Sequence, residues 1–382
     1  MTDSIVPVID PPSPVEGMTF ASQSSYRLIR RLGTGGMGEV WLAERTSAGN
    51  HSQLVAVKYL FDAHAAKRLA AEALRMSHLN HDNIVPFVDS GRDFGGRYFI
   101  AMAYVKGVNL DGFRAVAQLS TEAVYAGKSP ARIPEKLIGF IAFMVLRGLD
   151  FAHDHCFEDG SRGLVHLDIS PGNILIDEGK GFVKLTDFGV AAKQSTEKPQ
   201  IEIAGKVPYM APEVLTEGPV DQRADIYSLG IVLYELLTGF NPNLVAPKTA
   251  NILSAITNVM LAIEQPMRPP HDVVLGTDPV LSEIVMKMAA TDPEERYSSA
   301  EEVISALIHY LYSSGVGPNT SSLVSYLKLL QDPEVKPDRR DKNALPFLFF
   351  KNGVPDIRPA RNLSLAAEMD IAAARTPGRI WK

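Results

Sequence analysis

The sequence predicts an α+β chain in which a small, β-rich lobe precedes a larger helical one. Three observations lead there. Short β-rich runs separated by glycine or polar turns fill the first hundred residues, at 26–32, 39–44, 54–60, 84–89 and 98–104. A segment of helical spacing, 67–79, interrupts them after the third run. Beyond Gly107 the apolar period lengthens, and helices are expected over 135–155, 222–237, 250–263, 280–290 and 300–312.

Taken in order, residues 1–24 read as a disordered leader, because 1–17 combine acidic residues with repeated prolines and lack the basic start and apolar run of a signal peptide. Runs one to three read as sequential antiparallel strands, and runs four and five complete the small lobe at about 105. Residues 111–134 form a polar, alanine-rich connection longer than the architecture needs, expected as a surface excursion. The helical lobe then extends to about 313, and 314–382 is a C-terminal extension. Within it 321–330 could be an amphipathic helix, while the apolar patch 345–350 reads as a docking element or a segment that folds back on the domain.

A chain of 382 residues is too long for one small core. With 46% hydrophobic and 21% charged residues it has ordinary globular composition. A net charge of -6 gives no reason to expect binding to nucleic acid or anionic membrane. No stretch approaches the roughly 18 to 20 uninterrupted apolar residues of a membrane span. The single cysteine, Cys156, excludes an internal disulfide framework and a cysteine-based zinc site, and it fits a reducing cytosol. The expectation is therefore a cytoplasmic protein.

The motifs carry the chemistry. Leu32-Gly33-Thr34-Gly35-Gly36-Met37-Gly38-Glu39-Val40 sets glycines where a hairpin presses its backbone onto phosphates, since a Cβ there would hold the amides away. A dinucleotide-binding turn would open a helix; here a strand continues, which argues against that reading. Val55-Ala56-Val57-Lys58 puts an ammonium at the end of the third strand. Glu72, fourteen residues on in a helical segment, could pair with Lys58 or be a plain solvated charge. Downstream come His166-Leu167-Asp168, Asn173, Asp187-Phe188-Gly189 and Ala211-Pro212-Glu213.

In that order and spacing, over roughly 26–312, these motifs make the chain resemble the eukaryotic-like (Hanks-type) serine/threonine protein kinases of bacteria. The resemblance implies a two-lobed protein kinase fold, with a catalytic domain over 25–313 (N-lobe about 25–105, C-lobe about 106–313). It implies a function, transfer of the γ-phosphate of ATP to Ser or Thr hydroxyls of proteins, the chain itself among them. It implies that Asp168 accepts or orients the acceptor proton, that Asn173 and Asp187 hold Mg²⁺, for which Mn²⁺ could stand in, and that Lys58 anchors the phosphates. Met102 would guard the back of the adenine pocket, Ala56 would floor it, and backbone groups of Ala103 to Val105 would meet the base. The helix at 225–230 is expected to anchor the catalytic loop, and Arg296 to pair with Glu213. The partner is a protein substrate; the extension could dock on another protein or on the domain itself.

Three positions depart from the family pattern. Leu167 replaces the arginine that reads a phosphate on the activation loop, which suggests that the site is not switched by that route even though Ser195 and Thr196 remain available. Ser170 replaces the usual lysine two residues after Asp168, and Lys206 replaces the threonine that faces it. A reciprocal exchange follows as an expectation: Lys206 supplies the ammonium from the opposite side and Ser170 the hydroxyl. The alternative is that Lys206 points to solvent. A pseudokinase, a nucleotide-binding scaffold, is the alternative for the whole chain; Lys58, Asp168, Asn173 and Asp187 argue for catalysis. His153, His155, Cys156 and His166 could suggest a metal cluster, but their helix-end and loop positions, with His166 expected under Phe188, favour packing.

Overall fold

Alternating apolar residues along the first strands build a six-stranded antiparallel sheet in the order β1-β2-β3-β4-β6-β5, formed by Thr19–Ala21, Ser25–Thr34, Gly38–Thr46, Ser52–Leu60, Tyr98–Ala103 and Phe87–Arg92 respectively. The computed structural model describes residues 13–22, 24–34, 38–47, 49–60, 73–122, 133–157, 163–188, 192–193, 206–244 and 252–331. Among them the chain forms two units, one up to Tyr104 without His78–Val85, the other comprising His78–Val85 and everything from Val105 onward.

One face of the sheet carries the core of the first unit. Trp41, Val57 and Ala101 are in register across β3, β4 and β6, and they join Phe20, Tyr26, Leu28, Tyr59 and Phe99 in one apolar cluster. Phe20 stacks on Tyr26 at 4.9 Å and meets Phe99 edge-on at 4.9 Å. Tyr26 donates its hydroxyl to Asp89 at 2.6 Å. These contacts correct the disordered leader expected through residue 24. Phe20 is a buried aromatic anchor, so Thr19–Ala21 pair with β2 instead of fraying. Strand β5 lies three residues later than expected because Pro86 has no N–H to give a ladder; its carbonyl accepts the Ala103 N–H at 2.9 Å.

The second unit is helical around two small sheets, β10-β9-β7 (Val183–Leu185, Ile174–Asp177, Gly107–Asn109) and β11-β8 (Ala192–Lys193, Leu164–Val165). Its helices are α1 (Leu110–Glu122), α2 (Glu135–His153), α3 (Arg223–Thr238), α4 (Ile252–Ile263), α5 (Pro279–Met288), α6 (Ala300–Tyr312) and α7 (Thr320–Gln331), with single turns between them. Every residue of α3 from Ala224 to Leu237 is buried, so this helix is the axis of the unit. Gly230 allows α5 to approach it: a Cβ there would sit 2.9 Å from that of Met288.

The connection expected over 111–134 needs correction. Residues 110–122 are helix α1, because Leu110, Phe113 and Ala117 share a buried face while Asn109 accepts the Gly112 N–H at 2.8 Å and caps the start. The helix anticipated near 321–330 is α7. Its Tyr326 packs edge-on against Phe113 of α1 at 5.8 Å. Of the helix expected at 67–79, residues 73–77 are helical, and 67–72 lie outside the described residues. So do 345–350. None of the helices among the described residues is long and apolar enough to cross a membrane.

Candidate active site

Asp225, in the first turn of α3, has a fully buried carboxylate that organises the loop before β9. Its Oδ2 accepts the His166 N–H at 2.8 Å and Oδ1 the Leu167 N–H at 2.8 Å, while His153 of α2 bonds Oδ2 at 2.8 Å. Three bonds to one buried carboxylate fix a loop that has no ladder of its own. The anchoring role expected for the 225–230 helix is therefore seen atom by atom. His153 spends one nitrogen here, and the described residues contain no cluster of three or more His, Cys, Asp or Glu side chains arranged around a metal ion.

The loop conformation is unusual at Leu167, whose φ of 62° is left-handed although the residue is not glycine. Its side chain is 4% exposed and shares an apolar cluster with Val207, Met210, Val214, Tyr227 and Ile231. At this position the molecule carries a core contact with the 207–214 segment instead of a cation facing a loop phosphate.

His166 ties the loop to the Thr186-Asp187-Phe188 segment. Its Nδ1 accepts the Asp168 N–H at 3.2 Å, so Nε2 carries the proton and donates to the Thr186 carbonyl at 3.0 Å. Burial holds the imidazole pKa below its ordinary value, which keeps it neutral and suited to this pattern. The ring lies 4.4 Å from that of Phe188, as the sequence suggested. Asp187 also has a left-handed φ, 72°, and the Thr186 N–H reaches the Asn173 carbonyl at 3.1 Å.

Two donors converge on Asp168 Oδ2: the Asn173 side-chain amide at 2.8 Å and the Lys206 ammonium at 2.7 Å. The Asn173 amide also reaches the Asp168 carbonyl at 2.8 Å. No described residue donates to Oδ1. Burial raises the Asp168 pKa, and the Lys206 charge opposes that rise. Lys206 thus turns inward from the start of the single turn Val207–Tyr209. Ser170 does not complete the exchange expected for it. It adopts an extended conformation before the turn Pro171–Asn173, and its carbonyl accepts the Asn173 N–H at 3.0 Å. Its hydroxyl faces the interior, with no partner among the described residues. The Ser170 half of the swap is corrected on that ground.

The downstream landmark is a bidentate pair. Arg296, whose side chain is fully buried, donates to both oxygens of Glu213 at 2.7 and 2.9 Å and to the carbonyls of Ala290, Arg223 and Thr291.

In the first unit, register separates the site from the core. Val40, Lys58 and Ile100 form one row, and Leu42, Ala56 and Met102 the next, both on the face opposite Trp41 and Val57. Lys58 is half-buried there, with Ala56 and Met102 buried beside it. Gly33 and Thr34 pair with Val40 and Glu39, and Gly38 faces Leu60 on β4; Leu32 and Val40 are half-buried, and Glu39 is buried 3.9 Å from Arg31. The Ala103 N–H is taken by Pro86, so only its carbonyl has capacity for a base; Val105 belongs to the second unit. Gly35, Gly36, Met37, Glu72, Gly189, Ser195 and Thr196 lie outside the described residues.

One group about the site escaped sequence reasoning. Glu235 of α3 is buried and takes the Arg114 guanidinium of α1 on Oε1 and the Tyr209 hydroxyl, at 2.6 Å, on Oε2. No local pattern marks residues 121 positions apart.

A model of the family described as "Protein kinase domain" matches residues 26–308, and the chain belongs to that family. Among curated relatives, the serine/threonine-protein kinase PknJ of Mycobacterium tuberculosis is 34% identical over 78% of this chain and 46% of its own length. Tyrosine-protein kinase MasK of Myxococcus xanthus is 32% identical over 85% of this chain and 47% of its own. The chain thus spans under half the length of these relatives. The crystal structure of the Mycobacterium tuberculosis PknI kinase domain superposes with a TM-score of 0.52 at 26% identity, covering 77% of this chain and 98% of that one. The protein kinase fold expected from the motifs is the fold observed.

Proposed function

We propose that this chain is a protein kinase that transfers the γ-phosphoryl group of ATP to Ser or Thr hydroxyls of proteins, itself included. The observation that supports it most is the convergence of Asn173 and Lys206 on one oxygen of Asp168, which leaves Oδ1 to accept the acceptor proton. Serine/threonine preference is favoured by relatives such as PknJ and Pkn1, which carry that name, although MasK is named a tyrosine kinase.

Each residue has a part in this reading. Asp168 orients the acceptor hydroxyl and takes its proton as the oxygen attacks phosphorus and the bond to the leaving diphosphate breaks. Lys206 supplies the ammonium that the family's lysine gives from the position of Ser170; as a compact charge on a long stem it can touch both Asp168 and the phosphoryl group. Because Asn173 gives its amide N–H groups to Asp168, its amide oxygen is left for a hard cation beside the Asp187 carboxylate, a donor set that suits Mg²⁺ or Mn²⁺. That cation, when bound with ATP, neutralises charge on the phosphates. Lys58 and the 32–40 hairpin hold the phosphates, and Ala56, Met102, Ala103 and Val105 receive the adenine. The catalytic domain spans about 25–313 with α7 packed onto it, and the single, reduced Cys156 suits work in the cytosol.

Incubation with labelled ATP and Mg²⁺ tests the reading. Wild-type protein is expected to label itself and a generic acceptor such as myelin basic protein on Ser and Thr, as phosphoamino-acid analysis reads, and Asp168→Asn is expected to abolish both. Labelling that survives in Asp168→Asn would reject it. For the lysine, Lys206→Met is expected to lower kcat about 100-fold, the usual loss for one preorganised donor, with ATP binding retained; normal turnover would remove Lys206 from the mechanism.

A further inference from the structure

Helix α1 follows directly on β7, whose pairing with β9 sets its first turn beside the loop that holds Asp168 and Asn173. An added Cβ on Gly172 would lie 3.6 Å from Asp111 Oδ2. Arg114, one turn further on, spans from there to Glu235 on α3, with Asp111 3.8 Å from its other terminal nitrogen. Glu235 is 6% exposed, and an isolated carboxylate buried to that degree would be costly to keep ionised. The guanidinium makes the charge tolerable, and the ionised carboxylate in turn accepts the Tyr209 hydroxyl, which stays protonated because burial raises its pKa far above neutrality. Tyr209 ends the turn that Lys206 begins, and the Tyr209 N–H bonds the Lys206 carbonyl at 3.0 Å. Only Val207 and Pro208 therefore separate the residue whose phenol is fixed by Glu235 from the residue whose ammonium meets Asp168.

We infer that Arg114 is a positioning residue for phosphoryl transfer: through Glu235 and Tyr209 it fixes the 206–209 turn so that Lys206 stays on Asp168. This rests on the reading of Lys206 as the ammonium of the site. Losing Arg114 would leave the buried Glu235 without its cation, and the side chain would turn toward water and break the Tyr209 bond. Pro208 remains held through its carbonyl by Asn243 at 2.9 Å, so the turn loosens without being released. A lysine displaced by an ångström is enough to cost turnover.

The experiment is a double-mutant cycle between Arg114→Met and Lys206→Met in the full chain, with kcat and the KM values for ATP and for myelin basic protein as readouts. Arg114→Met is expected to lower kcat roughly 10- to 100-fold, as for misplaced catalytic groups, at nearly unchanged KM. The double variant should be no slower than Lys206→Met alone, because the two residues act on one interaction. Arg114→Lys should recover part of the loss. If Arg114→Met does not yield folded protein, Tyr209→Phe enters the same cycle with the same expectation, since it removes the phenol and leaves the Arg114–Glu235 pair intact. Additive losses, a raised acceptor KM at unchanged kcat, or unchanged kcat with only a lower melting temperature would overturn the inference while leaving Lys206 in place. Normal turnover in Lys206→Met would instead overturn the Lys206 reading and this inference with it.

Discussion

Leu167 shows how one substitution changes the kind of interaction a position can make. An arginine there could satisfy its charge only with an anion brought to it, whereas the leucine joins Val207, Met210 and Val214 in a core that needs no modification to form. Leu167→Arg is accordingly expected to destabilise the protein by about 3–5 kcal/mol, the cost of an unpaired charge in an apolar site, measured by chemical denaturation. A change under about 1 kcal/mol would mean that the side chain escapes to solvent. Arg296 makes the complementary case: Arg296→Lys keeps the charge but not the fork that grips both oxygens of Glu213 and three carbonyls, and should cost about 2–4 kcal/mol.

Helix α7 shows what an element adds beyond the matched domain, which ends at residue 308. Leu323, Tyr326, Leu327 and Leu330 are buried, and Gly181, with φ of 68°, lets the helix start so close that a Cβ would meet the Thr320 carbonyl at 2.2 Å. The Tyr326 hydroxyl is buried with no partner among the described residues. Tyr326→Phe is therefore expected to be neutral or to stabilise by up to about 1 kcal/mol, and Tyr326→Ala to destabilise by about 3–5 kcal/mol through the cavity left beside Phe113. Differential scanning calorimetry would separate the two; a destabilised phenylalanine variant would reveal a partner for the hydroxyl. The elements also mark what the sequence made legible. The motifs are short and each demands particular side chains, so the meeting of Asn173 with Asp168 and the Arg296–Glu213 pair lay open to reading from the sequence. Helix α1 was hidden because Gly112 and a run of small residues weaken its pattern, and its buried face shows only once β7 fixes its start. Ser170 misled because a hydroxyl suits either a bond or an idle interior position, and backbone geometry decides between them. Arg114 and Glu235 were silent because only the fold brings α1 to α3.

For the whole chain, these packing relations predict where it can be shortened. Ending it after Ser313 strips the cover from Phe113 and should give a melting temperature several degrees below that of the chain ended after Gln331, about 2–4 °C per kcal/mol lost. Equal melting temperatures for the two truncations would show that α7 contributes nothing. The buried Leu167 has a consequence in time as well. A kinase that must first modify its own loop starts slowly, accelerates as product molecules activate their neighbours, and does so more steeply at higher concentration. With Leu167 seated against the 207–214 segment, the expected progress curve begins at full slope and scales linearly with enzyme, and a lag that shortens as enzyme concentration rises would show that a loop phosphate is still required.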